Sequence, residues 1–575
     1  MRSIAYSLVF FVLFLSLLEA RNKDEPTVIT FHGNEIIDTS MLEALVGVDK
    51  PSFFAFWKED VSTVNALLIP KLNDIFTLFY RQEGFYEANI SHTIDASGIH
   101  FVIQENRPIR IEGIALESDF PIKEAIKLTQ GTRFRSANFS ETKANIKKLL
   151  LNKGLCRHTL NAKAYIDLEK YTANIAIRLR KGDRCHFGKI TPNSDQASSI
   201  DDEVIFSRLY FKEGEPFSLE KIRETYESLY ALEAFDSLHI MYNAKYNSEI
   251  PVDIKFRELQ SKTHSRIGVG YATDLKFQSK YHWEYKNFHG GARKLAFDLL
   301  YSTKQKWIEN SFFNPAILSI GDYHLDFQNS VGYREERNIH DYDEKIGYDR
   351  VYLQHREDKW LHSVGLGIEN REISDDRAFF LIYPFMKLIY DRRDSKINPQ
   401  QGFYFAHEME YGLPYSPGST TYLKYIEELR AIYTLYDVTL SAVGRFGAIE
   451  VYKNRLPESK KFFAGGAFSN RAYGYERIGI TDDPTKPSSL GGLSMANLSL
   501  EANFPLYKSL YFGVFNDNSM ISENEKIWEL SDRVVSSVGF GFRYMTPVGP
   551  FKLDFGFNIA DYSENGFHFQ VGQSF

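Results

Sequence analysis

The spacing of hydrophobic residues divides the chain into two halves. Up to about Lys262, apolar residues three or four positions apart alternate with short extended runs, which predicts a mixture of helices and strands. Beyond that point, apolar residues alternate one by one with charged or small residues in many successive segments. One such run places Val538, Phe540, Phe542 and Tyr544 on the same side of an extended chain. The second half is therefore predicted to consist of strands with one apolar face and one polar face.

Three copies of one helix-and-strand arrangement fill the first half. The copies cover residues 21–106, 107–183 and 184–262. A unit of this size is too long for a solenoid repeat and is typical of a small α+β domain. Three such domains could act as spacers or as binding modules, and the residues of this half leave both interpretations open.

Apolar spacing predicts the elements within each copy. A glycine, such as Gly154, ends the helix of the second copy. The predicted elements are a strand at 28–31, helices near 41–46 and 65–80 and a strand at 99–103 in the first copy, a helix from Phe139 and strands at 164–167 and 174–179 in the second, and a helix from Phe217 and strands at 239–242 and 252–256 in the third.

Residues 263–575 have room for about 16 strands of ~10 residues each. A water-soluble sandwich produces similar alternation, so the number of segments favours a transmembrane antiparallel β-barrel with lipid outside and a wet lumen inside. The composition agrees, because 15% of the residues are aromatic and outer-membrane barrels have aromatic rings at both interfaces. The last run, Phe567–Phe575, ends on an aromatic residue and is typical of a closing barrel strand.

The first 20 residues read as a secretory signal peptide. A short basic start precedes the apolar run Ile4–Leu18, and cleavage is predicted near Ala20. An uncleaved membrane anchor is the alternative. After this segment no run approaches the ~20 apolar residues that a membrane helix needs, so we expect the chain to span as a closed barrel.

The charges and motifs of the chain exclude several kinds of chemistry. The net charge is −7 and no long Lys/Arg block is present, which argues against nucleic-acid binding. His-Glu-x-x-His, Cys-x-x-Cys and phosphate-loop patterns are absent from the sequence. We therefore expect no cofactor, no metal site and no enzymatic activity.

Two cysteines, Cys156 and Cys185, fall in the first half. Export to an oxidising compartment permits a disulfide, and two cysteines allow a single pairing. Two unpaired buried thiols are the alternative, because the sequence gives no distance between them.

A glycine-rich segment in the second half resembles a family motif. It contains Gly465, Gly466, Ser469, Arg471 and Tyr473. The segment is similar to the G-G-x-x-S-x-R-G-[FY] loop of the outer-membrane assembly superfamily that includes BamA and TamA. In that family the loop folds back into the barrel and lumen carboxylates hold its arginine. The resemblance implies that Glu501 and Asp517 hold Arg471.

This chain departs from the family pattern at two positions. Ala472 stands where the motif has glycine, and Ser519 stands where a neighbouring strand motif has glycine. Alanine does not adopt positive φ cheaply. We therefore expect either a reshaped loop tip or a turn that has moved to Gly474.

Three modules before one barrel are most similar to the TamA branch of this superfamily. The resemblance implies that the modules are POTRA domains in the periplasm, whose sheet edges bind extended chains by strand addition. It also implies a TamB-like partner anchored in the inner membrane, unfolded outer-membrane clients such as autotransporters, and contact with outer-membrane lipids. The implied location is the bacterial outer membrane.

The closing strand is predicted to pair with residues 265–271. Glycines in both strands predict a weakly packed seam. The residues assigned to the seam are Ile267, Gly268, Gly270, Phe569, Val571, Gly572 and Phe575. Our first hypothesis is an insertase that assembles barrel proteins through this seam. The alternatives are a secretion pore or lipid-transport terminus working with the TamB-like partner, and a passive porin.

Overall fold

A computed structural model describes most of the chain. The described residues are 27–47, 62–64, 69, 71–194, 197–243, 248–272, 276–320, 323–337, 342–374, 377–396, 398–480, 490–507, 509–526, 534–545 and 551–571. The predicted signal peptide, Gly572 and Phe575 lie outside them. The chain divides into two compact units. The first comprises Met1–Ile190, Phe211–Ile222 and Tyr242–Val252, and the second comprises Thr191–Tyr210, Arg223–Met241 and Asp253–Phe575.

Three small sheets lie in the N-terminal part of the chain. Their strands are β1 (Thr27–His32), β2 (Thr63–Val64), β3 (Asn89–Asp95), β4 (Gly98–Gln104), β5 (Arg110–Ser118), β6 (Thr159–Asp167), β7 (Thr172–Arg180), β8 (His186–Ser194), β9 (Phe235–Tyr242) and β10 (Glu249–Glu258). The strand orders are β2-β1-β4-β3, β5-β7-β6 and β8-β10-β9. In the first two sheets, β1 pairs with β4 and β5 pairs with β7 in parallel, whereas the β3–β4 and β6–β7 hairpins are antiparallel.

The same part of the chain contains five α-helices within the described residues. They are α1 (Thr39–Leu45), α2 (Leu72–Gln82), α3 (Ser136–Asn152), α4 (Asp202–Phe206) and α5 (Leu219–Tyr230). In α2, Leu72, Phe76 and Tyr80 recur every four residues and are fully buried, because that spacing puts them on one face of the helix. The Phe76 ring meets the Phe101 ring of β4 edge-on, with 4.9 Å between centroids. Within the described residues, no helix is both long and apolar enough to cross a membrane.

The sequence-based prediction missed some of these elements. Helix α2 begins at Leu72 in the described part of the chain, and residues 65–68, where the predicted helix starts, lie outside that part. Strands β5 and β8, which open the second and third copies, were not predicted. The reason is local, because a register shift between Ile111 and Gly113 interrupts the alternation of β5, and Gly188 and Pro192 interrupt that of β8.

The second unit contains one antiparallel sheet of 16 strands. They are β11 (Thr263–Ala272), β12 (Lys276–Lys286), β13 (Lys294–Ser302), β14 (Gln305–Ile320), β15 (Tyr323–Glu336), β16 (Glu344–Glu357), β17 (Trp360–Ile373), β18 (Arg377–Asp391), β19 (Gln401–Tyr411), β20 (Thr421–Leu435), β21 (Val438–Lys453), β22 (Ser494–Tyr507), β23 (Leu510–Ser522), β24 (Val535–Tyr544), β25 (Phe551–Asn558) and β26 (Asn565–Val571). Each strand pairs with the next along the chain. The predicted fold class, α/β modules followed by a 16-stranded barrel, is confirmed.

The two faces of the barrel strands differ as the alternation predicted. In β22, Leu498 and Leu500 point outward and are exposed, whereas Asn497 and Glu501 point inward and are buried. The inward residues are buried because a loop fills the space between opposite walls. Apolar loop residues Leu456, Phe462, Ala464, Ala472, Tyr473 and Ile478 form a cluster with wall residues of β18, β20, β21, β23 and β24.

The first and last barrel strands lie beside each other, and no ladder joins them within the described residues. β11 and β26 are in contact, and they are the two ends of the strand order within the part of the chain that the structure describes. The predicted pairing of these strands is therefore not present there. Ile267 is 77% exposed, and a Cβ added to Gly268 would meet no atom within 4 Å. Gly270, Phe569 and Val571 lie in the same two strands.

The two cysteines are joined in a disulfide. Cys156 follows α3 and Cys185 precedes β8, with 5.9 Å between their Cα atoms. The Cys185 side chain is fully buried. A cross-link between residues 29 positions apart restricts the unfolded chain, which typically stabilises a domain by about 2–4 kcal/mol.

Candidate functional site

The connection between β21 and β22, residues 454–493, is hereafter called the loop, and its described residues, 454–480 and 490–493, enter the barrel lumen. Two glycines make its turn possible. Gly465 and Gly466 have φ of 104° and 97°, a region that other residues rarely adopt. A Cβ on Gly465 would lie 2.5 Å from the carbonyl oxygen of Gly474. The amide of Gly465 donates to Ser469 Oγ at 3.3 Å, and the amide of Gly466 donates to the Tyr473 carbonyl at 3.0 Å.

The tip of the loop, residues 469–473, presents Arg471 to two carboxylates of the wall. Its backbone N and its Nε lie 3.0 and 2.9 Å from Asp517 Oδ2, and its Nη2 lies 2.9 Å from Oδ1. Nη1 lies 2.5 Å from Glu501 Oε2. All three side chains are buried, and the Phe515 ring lies 3.4 Å from the guanidinium carbon. We call Arg471, Glu501 and Asp517 the clasp. The planar guanidinium of Arg471 is held between two carboxylates, which fixes the position and the orientation of the loop tip.

Further charged residues surround the clasp, and the sequence analysis did not identify them. Arg543 is 1% exposed, and its Nη2 lies 2.7 Å from Asp554 Oδ1 and 3.2 Å from Glu501 Oε2. Lys552 is buried on the same wall. A signal was present in the sequence, because these three residues occupy the polar side of the predicted β24 and β25 runs. Arg543 adds a second cation beside Glu501 and is itself paired with the carboxylate of Asp554.

The backbone of the tip lies directly against the last two strands. Gly556 of β25 faces Gly566 of β26 across the ladder. A Cβ on either glycine would come within 2.4 Å of the Arg471 carbonyl oxygen. His568 Nε2 donates to the same oxygen at 3.2 Å. The docked tip therefore contacts the strand that borders the seam.

The two departures from the family motif are accommodated by packing. Ala472 is 1% exposed, and neither it nor Gly474 has a positive φ. The alternative that the turn moves to Gly474 was wrong, and the positive φ after the arginine is at Glu476, with 54°. Ser519 is also buried and accepts a hydrogen bond from Asn497 Nδ2 at 2.8 Å.

The segments preceding the barrel are fixed to its turns within the second unit. Ser199 and Asn287 donate hydrogen bonds to Glu258 at 2.8 Å each. Burial opposes the ionisation of Glu258, but these hydrogen bonds hold the pKa of that carboxyl below its ordinary value. Arg208 Nη2 lies 2.6 Å from Asp326 Oδ1, with both side chains buried. The sequence analysis identified none of these residues.

Comparison with known proteins agrees with the barrel fold. The model of the Omp85 superfamily domain matches residues 287–575. The outer membrane protein assembly factor BamA of Nitratidesulfovibrio vulgaris is 21% identical, over 97% of this chain and 74% of its own length. A putative outer membrane protein assembly factor of Treponema pallidum is 22% identical, over 53% of this chain and 39% of its own length.

A solved structure shares the fold. The crystal structure of BamA from Haemophilus ducreyi lacking POTRA domains 1–3 aligns with a TM-score of 0.54 and 16% identity, covering 81% of this chain and all of that one. The names of the two relatives describe assembly factors. The chain therefore belongs to the Omp85 superfamily, as a BamA/TamA-type protein with its barrel in the outer membrane and its N-terminal modules in the periplasm.

Proposed function

We propose that this protein inserts β-barrel proteins into the outer membrane through the seam between β11 and β26, in the manner of a TamA-type assembly factor. One observation carries the proposal: the two strands lie side by side without a ladder in the described residues. An unpaired strand edge presents a row of backbone N–H and C=O groups. A client strand can pair with that row whatever its side chains are.

We further propose that residues 21–106, 107–183 and 184–262 are three POTRA modules that bind clients or a TamB-like inner-membrane partner. Strands β3, β6 and β9 each lie at an edge of one of the small sheets. In β6 the Tyr165 side chain is 60% exposed. An exposed edge with such side chains is suited to strand addition by an extended polypeptide, such as an autotransporter segment.

The filled lumen argues against the alternative functions. A secretion pore, a lipid-transport terminus or a passive porin that conducts through the barrel centre needs an open channel. Here the loop occupies the lumen and is anchored by buried ion pairs. Entry through the wall, at the seam, does not require this loop to leave.

Reconstitution tests the proposal. Proteoliposomes containing the full protein are expected to accelerate the folding of a urea-denatured outer-membrane barrel by roughly tenfold over empty liposomes, because an edge that templates the client strand lowers the insertion barrier. A tenfold faster rate corresponds to a barrier that is about 1.4 kcal/mol lower. Folding is measured by the mobility shift of the folded client on unheated gels. If no barrel client folds faster and a soluble polypeptide or lipid is transferred instead, the result would favour the pore or transport alternatives.

The modules are tested by photo-cross-linking. A photoreactive amino acid at Tyr165 on edge strand β6 is expected to cross-link to unfolded clients or to a TamB-like segment. The matched control replaces Tyr226, a tyrosine on α5 that is 39% exposed but lies outside any sheet edge. Equal cross-linking at the two positions, or none at Tyr165, would support the spacer interpretation.

A further inference from the structure

The loop has a second attachment to the barrel, at its stem. The stem is residues 455–462 and contains a short 3-10 turn, Glu458–Lys460. Lys460 is 5% exposed, and its Nζ lies 2.9 Å from Glu410 Oε1 and 3.3 Å from Glu369. The same Nζ lies 4.4 Å from the centre of the Tyr383 ring. A lysine at the base of the loop is therefore held between two carboxylates and an aromatic ring of the wall.

Neighbouring stem residues strengthen this attachment. Ser459 Oγ donates to Glu344 at 2.5 Å and accepts from Arg371 Nη1 at 2.7 Å. Arg371 also pairs with Glu369 at 2.8 Å, so the contacts of Ser459 and Lys460 belong to one network. Lys424 donates to the Lys460 carbonyl at 2.6 Å. The wall partners come from β16, β17, β18, β19 and β20 in succession.

The stem and the tip are attached to different parts of the wall. The clasp partners Glu501 and Asp517 lie on β22 and β23, and the tip backbone contacts β25 and β26. The stem partners lie on β16–β20, and none of them is a partner of Arg471. Attachments without shared partners contribute independently to stability. While one of them holds, the other is confined close to its site and rebinds readily.

We propose that Lys460 is a positioning residue that keeps the loop in the lumen when the Arg471 clasp opens. The tip can then move away from β26 while the stem still obstructs the barrel. Motion at the seam is thereby separated from the opening of a pore. This role of Lys460 depends only on contacts between the loop and the barrel wall, so it does not depend on the identity of the client or on the proposed insertase function.

Single-channel conductance of the full protein in planar bilayers tests the inference. Arg471→Ala is expected to leave the conductance near the wild-type level, because the stem still holds the loop in the lumen. Lys460→Met is also expected to change little, because the clasp still holds. The combination Lys460→Met/Arg471→Ala is expected to raise conductance at least about threefold, towards the value of a variant in which a short linker replaces residues 456–490, since an unobstructed 16-stranded barrel has a porin-like lumen.

The control is Lys461→Met in the Arg471→Ala background. Lys461 is adjacent, but its ion pair, at 3.1 Å, is with Glu458 of the same stem. This combination is expected to keep the low conductance. Migration on unheated gels verifies that each barrel is folded. Full conductance with Arg471→Ala alone, or a combined variant of folded barrel that conducts like wild type, would overturn the proposed role of Lys460.

Discussion

Cross-linking the seam is expected to reduce client insertion by roughly tenfold or more. The variant Ile267→Cys/Phe569→Cys places one thiol on β11 and one on β26, the strands that border the seam. A disulfide between them would have to break before the two strands could separate, so a fully cross-linked protein cannot open this edge. The measurement is the rate of barrel folding in proteoliposomes after oxidation.

A cross-link in a paired region provides the control. Val351 on β16 and Leu366 on β17 are opposite each other in the ladder, and both point outward. The variant Val351→Cys/Leu366→Cys adds a disulfide where the structure already has backbone pairing, so insertion is expected to be unchanged. Undiminished insertion by a protein with a fully formed seam disulfide would exclude this route and leave the function to another part of the molecule.

Loss of the arginine of the clasp is expected to release the tip without unfolding the barrel. Arg471→Ala removes the cation that contacts Asp517 through its side chain, and Asp517 is fully buried. Removing one partner of a buried ion pair typically costs about 3–5 kcal/mol. We expect trypsin cleavage at Arg477 to become at least about tenfold faster, because a few kcal/mol shifts an opening equilibrium by that much. Cleavage at Arg477 as slow as in the wild type would argue against the clasp.

A larger residue at Gly566 on the closing strand should also release the loop tip, in this case by a clash with the backbone of Arg471. In Gly566→Ala the new Cβ would lie 2.4 Å from the Arg471 carbonyl oxygen, so the tip has to move. Gly268→Ala on β11 is the matched control, because its Cβ meets nothing within 4 Å. Combining Gly566→Ala with Arg471→Ala is expected to add little, since both changes release one docked tip. Fully additive effects would show that the two positions act separately.

The barrel could be predicted from the sequence because its signal is local. Alternation with a period of two is visible within each strand, and 16 such segments fit between residues 263 and 575. Where the local pattern is broken the prediction failed, as at the bulge near Gly113 in β5. The clasp was predicted through the resemblance to a family motif, and the structure places Arg471 beside Glu501 and Asp517.

The stem anchor and the glycine cradle could not be predicted in this way. Lys460 lies 91 positions from Glu369 and 50 from Glu410, and no local pattern relates them. Gly556 and Gly566 look like ordinary strand glycines until the loop tip is seen against them. Contacts of this kind depend on strand tilt, on register and on the path of a long loop, which are set by closure of the whole sheet.

Local periodicity and composition by themselves determined that this chain has α+β modules and a barrel of about 16 strands, and the resemblance of residues 465–473 to a family motif implied the arginine-bearing loop. Each of these properties is written in residues that are close together in the chain. Only the tertiary structure decided that the loop in the lumen is attached to two different parts of the barrel wall. It also decided that β11 and β26 meet without a ladder in the described residues. Those outcomes depend on contacts between charges and strand edges that are far apart in the chain. Such contacts can form only when the closed sheet brings these residues together.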